Sequence, residues 1–253
     1  MKIAVAGGSG RVGRYVVEAA GRAGHDVTVL SRSTGVDLLS GVGLQAALAN
    51  VEVIIDTINT SSTSRAKATT FFTEATRHLQ TAGAAQNVDR LVTLSIVGLE
   101  RARSYGYYTA KLEHEAAARS GPLPVSIVRA TQFHEFPAQI LARTQMGPFA
   151  VVPRMKIQQI AARTVGQALV DVATKPTGAQ IVEVAGPEAA DLVDLVRTLI
   201  AHWGQRVVVI PLHVPGAAGK AMRLGAMLPT PDVPATGPAF SQWLNSPDCP
   251  TRN

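Results

Sequence analysis

The sequence is poor in cysteine and contains no long uninterrupted apolar run. Its single cysteine, Cys249, lies in a proline-rich tail, so neither a disulfide framework nor a cysteine metal cluster is expected within the chain. No apolar run approaches the roughly 20 residues that cross a bilayer. The first residues also lack the basic segment and the apolar stretch of a signal peptide. These absences predict a cytoplasmic protein without a membrane partner.

Metal-ligand patterns and dense blocks of basic residues are missing as well. None of the six histidines occurs as H-x-x-x-H or H-E-x-x-H, and no carboxylate cluster accompanies them, so we predict no metal site. The net charge is +6, but the basic residues are dispersed, which argues against a nucleic-acid partner. A modest positive balance suits either a polyanionic cofactor or general solubility.

The most informative segment is a glycine-rich turn between a strand pattern and a helix pattern. Residues 2–6 form a short apolar run, and an amphipathic stretch ends near Gly24. Glycines between them have the spacing G-x-x-G-x-x-G. A helix that begins after such a turn presents free backbone N–H groups and its positive dipole end to a pyrophosphate. The predicted contacts with a dinucleotide are Gly7, Ser9, Gly10, Arg11, Val12 and Gly13.

Strand and helix patterns alternate along the chain and become weaker after residue 130. The predicted strands are 2–6, 26–30, a stub near 36–38, 52–56, 90–95, 125–130, 180–185 and 206–211. The predicted helices are 11–23, 43–49, 63–85, 107–119, 162–174 and 190–202. This alternation predicts an α/β fold with a doubly wound, mostly parallel Rossmann sheet of strand order 3-2-1-4-5-6.

The weaker alternation of strand and helix patterns in the later part of the sequence predicts two parts of the chain. Residues 1–185 are expected to form the dinucleotide-binding Rossmann domain, and residues 186–253 a small C-terminal lobe that covers the substrate. The last stretch, 227–253, is rich in proline. Its expected anchors are Phe240, Trp243 and Leu244.

A second motif places a phenol, an ammonium and a hydroxyl near one edge of the predicted sheet. Tyr107 and Lys111 lie at i, i+4 on one face of a predicted helix, and Ser95 ends the strand before it. A carbonyl that accepts a hydride needs a proton donor, and we predict Tyr107 for that role. Lys111 would lower its pKa and hold the nicotinamide ribose, and Ser95 would bind the substrate oxygen. A solvated ion on an amphipathic helix is the alternative interpretation of the pair.

These motifs resemble the short-chain dehydrogenase/reductase superfamily, in particular its atypical or extended branch and the NmrA-like proteins. The resemblance covers about residues 1–185 and rests on the glycine spacing and on the segments GVDL, LSIVG, GYYTAK and VRATQF. It implies NAD(P)(H) binding, oxidoreductase roles for Ser95, Tyr107 and Lys111, and a place for Asp37 near the adenine. NmrA-like proteins also include non-catalytic nucleotide sensors, many of which lack the Tyr/Lys pair.

The end of the second strand predicts which nicotinamide cofactor binds. An NAD site usually carries an acidic residue there to hold the ribose 2′-hydroxyl, and none is present. Arg32, with Ser31 and Ser33, can contact a 2′-phosphate because a guanidinium matches its geometry. We therefore predict NADP(H) in preference to NAD(H), although a solvated loop arginine is the alternative for Arg32. Further candidate contacts, with the adenosine ribose or phosphates, are Thr57 and Asn59.

Residues after the strand 125–130 are expected near the substrate. The candidate pocket residues are Gln132, Phe133, His134 and Phe136, for which helix capping and core packing are the alternatives. The predicted function is the NADPH-dependent reduction of a small, rather apolar carbonyl, enone or quinone. An NADP(H)-sensing binding protein without turnover and a non-redox isomerase or lyase are the alternatives. A small-molecule substrate is the expected partner, and a monomer or homodimer the expected assembly.

Overall fold

The chain forms two compact units, and a parallel sheet is the centre of the first. A computed structural model describes residues 1–62, 64–175 and 180–250. The first unit consists of Met1–Ile96, Tyr105–Ala130 and Ala162–Val182, and the second of Val97–Ser104, Thr131–Ala161 and Glu183–Asn253. The sequence predicted two contiguous parts, 1–185 and 186–253, whereas each unit is assembled from three separate segments.

The described strands and helices follow the predicted alternation in the first unit. The strands are β1 (Lys2–Ala6), β2 (Asp26–Leu30), β3 (Val53–Asp56), β4 (Arg90–Ile96), β5 (Val125–Ala130), β6 (Gln145–Met146), β7 (Phe149–Pro153), β8 (Lys156–Gln158), β9 (Ile181–Val184), β10 (Ala189–Asp191) and β11 (Val208–Leu212). The helices are α1 (Gly13–Arg22), α2 (Leu44–Ala47), α3 (Arg65–Ala85), α4 (Gly106–Ser120), α5 (Phe136–Thr144), α6 (Ala162–Thr174), α7 (Leu192–His202), α8 (Gly216–Arg223) and α9 (Phe240–Leu244).

The central sheet has the order β2-β1-β3-β4-β5-β9, with helices on both faces. β1 pairs in parallel with both β2 and β3, so Ile3 lies opposite Val27 on one side and Val53 on the other. β3 is buried along its whole length, which agrees with its apolar residues 53–55 and leaves Asp56 as a buried carboxyl at its end. The predicted doubly wound α/β fold is confirmed, and parallel pairing brings the carboxyl ends of β1, β3 and β4 to one edge.

The predicted strand stub near 36–38 is wrong, and with it the numbering of the predicted strand order. The backbone there forms a loop, in which Asp37 N–H donates to Val42 O at 3.0 Å. Gly35 and Gly43 have φ angles of 79° and 78°, a left-handed conformation that favours glycine and ends an extended run. The order 3-2-1-4-5-6 counted the stub as its third strand, and the remaining strands keep their expected neighbours.

Helix α3 follows the predicted pattern closely and packs against α4. It begins after Ser64, whose Oγ accepts the Lys67 N–H at 3.5 Å and so caps the first turn. Thr63, the first residue of the predicted helix 63–85, lies outside the described residues. The apolar face recurs at helical spacing and buries Ala68, Phe72, Ala75 and Leu79.

The second unit contains two small sheets and the helices α5, α7, α8 and α9. β10 pairs with β8, and β11-β7-β6 form a three-stranded sheet. The sequence did not predict β6, β7, β8, β10, α5, α8 or α9, because these segments are too short for a clear period. The three predicted tail anchors are buried in α9, as expected, and residues 251–253 lie outside the described part. Among the described helices, none combines the length and apolarity needed to cross a membrane.

Candidate functional site

The glycine turn after β1 is shaped by close backbone contacts. Gly7 has a φ of +74°, and Gly10 N–H donates to Gly7 O at 2.8 Å. A Cβ atom at Gly7 would lie 3.1 Å from the carbonyl carbon of Thr57, and one at Gly13 would collide with Gly7 O. The turn therefore requires glycine at its first position for the backbone angle and at its last for space.

The end of this turn presents backbone donors without acceptors. Among the described ranges, no hydrogen bond is found for the backbone N–H groups of Arg11, Val12 and Gly13, which precede and open α1. Val12, the residue before the helix, makes no side-chain capping bond. Three neighbouring free N–H groups at the positive end of a helix dipole form a site that can bind an anion such as a pyrophosphate.

The end of β2 leads into a short hydroxyl-rich turn. Ser31 Oγ lies 2.8 Å from Ser33 Oγ, and Thr34 Oγ1 donates to Val29 O at 2.8 Å. These bonds fix the turn, and the side chain of Arg32 within it is exposed to solvent. No carboxylate follows β2 directly, so a guanidinium is the first charged group after this strand.

Asp37 lies beyond this turn and caps the next one. Its Oδ1 accepts the Leu39 N–H at 2.9 Å. This hydrogen bond is the main reason that the pKa of the Asp37 carboxyl is lowered, and the positive charge of Arg32 contributes to the same shift. One carboxylate oxygen is thus used within the loop. Its expected position near an adenine stays a prediction.

Two polar residues follow β3, and both have partners within the first unit. The buried Thr57 donates its hydroxyl to Ala6 O at 2.8 Å, which ties the end of β3 to the end of β1 beside the glycine turn. Asn59 is exposed, and its Oδ1 accepts both the Thr60 N–H and the Tyr107 hydroxyl, each at 2.7 Å. No partner is found for the Asn59 amide nitrogen among the described residues.

Tyr107 is in the first turn of α4, and its phenol is protonated rather than activated. Burial raises the pKa of Tyr107 to about 12, although the hydrogen bond to Asn59 lowers it in part. Lys111 is not among the groups that shift this pKa, and its expected role in activating Tyr107 stays a prediction. No hydrogen bond joins the side chains of Ser95, Tyr107 and Lys111 to one another among the described residues.

Lys111 is buried and belongs to a network that sequence analysis missed. Its Nζ donates to Leu94 O at 2.9 Å and lies 2.8 Å from His114 Nδ1. His114 Nε2 lies 2.8 Å from Asp56 Oδ2, and all three side chains are at most 3% exposed. The Asp56 carboxylate accepts the Nε2–H of the imidazole, which leaves Nδ1 as the acceptor for the ammonium.

Burial also lowers the pKa values of the two basic groups in this network. Removal from water lowers the pKa of Lys111 to about 8, against the opposing charges of Asp56 and Glu115. Burial and the neighbouring ammonium likewise lower the pKa of His114. The Phe72 ring stacks on His114 with 4.8 Å between centroids and lies 4.7 Å from Lys111 Nζ. His114 follows Lys111 by three residues on the same helix face, a spacing that could have indicated the contact.

Ser95 lies near the carboxyl end of β4 and is 2% exposed. Its Oγ has no hydrogen-bond partner among the described residues. A buried hydroxyl without a partner costs about 1–3 kcal/mol. Its neighbour along the strand, Leu94, supplies the carbonyl that holds Lys111. Ser95 thus has a buried hydroxyl without an internal partner in the described part of the chain.

The four candidate pocket residues belong to the second unit. His134 is buried, donates from Nε2 to Pro238 O at 3.0 Å, and packs against the rings of Phe240 and Trp243. Burial lowers its pKa, and the hydrogen bond to Pro238 opposes this shift. With Gln159 and Phe240 it lines a cavity of about 20 Å³, room for about one water molecule.

The other three candidates differ in exposure. Gln132 is buried, and its Oε1 has no partner among the described residues, while Phe133 and Phe136 are half-buried at the start of α5. Whether these residues contact a substrate stays a prediction.

A family comparison agrees with this geometry. Residues 3–99 match the model of the NAD dependent epimerase/dehydratase family. The matched segment contains the glycine turn, Arg32, Thr57, Asn59 and Ser95, and it ends before Tyr107 and Lys111. No curated protein matches the chain by sequence.

Solved structures share the fold at low sequence identity. The NADPH-dependent quinone oxidoreductase QOR2 from Escherichia coli, complexed with NADPH, has a TM-score of 0.72 and 16% identity, over 96% of this chain and 98% of that one. MoeE5 in complex with UDP-glucose and NAD has a TM-score of 0.70 and 19% identity, over 92% and 90%.

A third structure is a short-chain dehydrogenase/reductase superfamily protein from Agrobacterium tumefaciens with bound NAD. Its TM-score is 0.65 and its identity 21%, over 84% of this chain and 86% of that one. The family match over residues 3–99 and the shared fold agree with the predicted resemblance to this superfamily, whereas the NmrA-like assignment stays a prediction.

Proposed function

We propose that the protein binds NADP(H) and reduces a small, rather apolar carbonyl, enone or quinone. The observation that carries this proposal is the row of free N–H groups at Arg11, Val12 and Gly13, between β1 and α1. Phosphate oxygens of a dinucleotide can accept from these groups, so the residues fit the cofactor. A nicotinamide held by this unit would supply the hydride.

The preference for NADP(H) rests on Arg32. Its guanidinium is exposed after β2, where no carboxylate is present to bind a ribose 2′-hydroxyl. The solved structures with this fold include one with NADPH and one with NAD, so the fold is compatible with either cofactor. A planar, permanently charged group that can bind a phosphate favours the phosphorylated cofactor.

Side chains of α4 and β4 would serve the reaction. Lys111 uses two of its three donors on Leu94 and His114, which leaves one for a ribose hydroxyl. Ser95 has a free hydroxyl for the substrate oxygen. Tyr107, whose pKa of about 12 keeps it protonated at neutral pH, would donate the proton.

Because the pKa of Tyr107 is raised, the possible hydride acceptors differ in how much they need it as a proton donor. The alkoxide formed from a ketone is a much stronger base than a phenolate and can take the phenol proton. A hydroquinone anion is a weaker base and can be protonated by water. Tyr107 is therefore expected to matter for ketones and to matter less for quinones.

A nucleotide sensor without turnover is the second candidate. It is favoured by the absence of any hydrogen bond joining Ser95, Tyr107 and Lys111 in the described part of the chain, and by the internal partners of Lys111. We further propose a cytoplasmic location, a small-molecule substrate, a monomer or homodimer, and NmrA-like relatives. A non-redox isomerase or lyase would use the same binding residues.

The decisive experiment follows NADPH absorbance with a panel of ketones, enones and quinones. Tyr107→Phe should lower the turnover of a ketone by about 10²- to 10⁴-fold with NADPH binding unchanged. Tyr108→Phe is the matched control, since it removes a buried hydroxyl one position along α4. NADPH binding without oxidation by any acceptor would favour the sensor. Full ketone turnover in Tyr107→Phe would remove Tyr107 from the reaction.

A further inference from the structure

The three-stranded sheet of the second unit exposes an apolar face. Along β11, the residues Val208, Ile210 and Leu212 alternate with half-buried neighbours, and each is at least 45% exposed. The register places Val208 opposite Phe149 and Ile210 opposite Val151, so these side chains share one face. A contiguous exposed apolar face is unusual, although single exposed apolar residues are common.

A tight hairpin extends this face at its outer end. β6 and β7 are joined through Gly147, whose φ is +59°, and Met146 pairs with Phe149 across the turn. Met146 is 71% exposed and Phe149 48%. Two large apolar side chains at a hairpin tip give the face a protruding edge.

The opposite face of the same sheet already forms the core of its unit. Ala150 and Val152 of β7 are fully buried, and both β7 and β11 pack against α7. A sheet with one buried face normally carries polar residues on the other. This sheet is apolar on both, so its outer face is not explained by packing within the unit.

The chain segments that form this sheet contain basic residues and no acidic ones. No Asp or Glu occurs between Phe136 and Val170, or between Leu195 and Pro231. Three basic residues that flank the strands are exposed and form no ion pair with a carboxylate in the described part of the chain: Arg143 in the last turn of α5, Arg154 after β7, and Arg206 before β11.

We propose that this face, Met146, Phe149, Val151, Val208, Ile210 and Leu212 with the flanking cations, docks on a lipid surface that carries anionic headgroups. The apolar side chains would enter the boundary between headgroups and acyl chains, and the cations would contact the phosphates. Such peripheral contact needs no membrane-spanning run. The proposal departs from the prediction of no membrane partner, which considered spanning segments and a signal peptide but not peripheral contact.

A second copy of the chain fits this face less well. A contact between two copies would bring Arg154 and Arg206 of both chains to one interface, and like charges repel. Strand addition at the open edge is also hindered. The backbone N–H of Val208 donates to Pro148 O of the neighbouring chain segment, so the backbone groups of residues 208, 210 and 212 point towards β7. The backbone groups of residues 209 and 211 then point to the open edge, where Pro211 has no N–H to offer an added strand.

Sedimentation with vesicles tests the proposal without reference to the enzymatic activity. The protein should bind phosphatidylglycerol vesicles at least tenfold more tightly than phosphatidylcholine vesicles, and added salt should weaken the binding. Met146→Ser with Phe149→Ser should lower the affinity tenfold or more. Arg154→Gln and Arg206→Gln should each lower it about fivefold.

Exposed apolar residues of the first unit provide the control. Leu39→Ser with Val42→Ser removes side chains of 48% and 65% exposure and should leave vesicle binding unchanged. The proposal is overturned if the protein ignores anionic vesicles, if the hairpin variant binds them as tightly as the parent, or if duplex DNA binds more tightly. A concentration-dependent dimer that the hairpin variant abolishes, without vesicle binding, would assign the face to a second copy instead.

Discussion

Among single residues, Arg32 is expected to decide the choice of cofactor. Arg32→Ala removes one charge-assisted phosphate contact, which costs about 1.5–3 kcal/mol, or roughly 10- to 150-fold in NADPH affinity. NADH affinity should change little, because that cofactor has no 2′-phosphate. Calorimetry with both cofactors measures the ratio of the NADPH affinity to the NADH affinity. Arg22→Ala, which removes an exposed guanidinium from the last turn of α1, is the control for net charge. Equal losses for both cofactors would contradict the assignment.

Lys111 is expected to make stability depend on pH in the alkaline range. Its pKa is lowered in the folded state from 10.5 to about 8, so between these values the unfolded chain binds the proton and the folded chain does not. Burying the charged ammonium therefore lowers the stability of the folded state below pH 8. This destabilisation is relieved as the pH rises towards 10.5, by at most about 3 kcal/mol.

Urea unfolding of the parent and of Lys111→Met measures this effect. Between pH 7.5 and pH 9.5, the free energy of unfolding of the parent should rise by about 1–2 kcal/mol relative to that of the variant. Groups that titrate alike in both proteins cancel in this difference. A difference that stays constant over this range would show that Lys111 keeps an ordinary pKa in the folded protein.

At the scale of the elements, the β1–turn–α1 segment offers a matched pair of glycines. A Cβ at Gly10 would have only Gly7 O nearby, at 3.0 Å, and one at Gly21 would meet nothing within 4 Å. Gly10→Val should therefore keep the fold but lose NADPH binding, since a side chain there obstructs the approach of the phosphates. Gly21→Ala should keep the binding and stabilise α1 by up to about 1 kcal/mol.

Calorimetry and circular dichroism separate the two effects. Unchanged NADPH affinity in Gly10→Val would refute the proposed phosphate site. A folded Gly21→Ala variant that no longer binds NADPH would show that the NADPH affinity responds to any change in α1 rather than to the glycine turn.

For the whole molecule, cofactor binding is expected to stabilise the folded state by mass action. NADPH at about 100 times its Kd should add about 2.7 kcal/mol, which corresponds to a rise in Tm of about 5–10 °C for a chain of this size. NADH at the same concentration should give a smaller rise. A thermal scan of the parent and of Arg32→Ala measures both, and equal shifts for the two cofactors in the parent would contradict the predicted preference.

Local sequence determined the cofactor end of the first unit. The apolar run of β1, the glycines after it and the amphipathic face of α1 lie within about 20 consecutive residues. Their structure depends on backbone angles, hydrogen bonds and side-chain period that are set by near neighbours. For the same reason the parallel sheet and its long helices, such as α3 and α4, were predicted with nearly correct bounds.

Tertiary structure alone decided the surroundings of Tyr107 and Lys111. Asp56 and His114 are 58 positions apart in the chain and meet at 2.8 Å in the interior. The pKa values of Tyr107 and Lys111 depend on burial and on such distant partners, which no local pattern encodes. The small sheets of the second unit likewise join short segments from separate parts of the chain. Their strands have too few residues to show a period, and their pairing depends on which surfaces are covered when the chain folds.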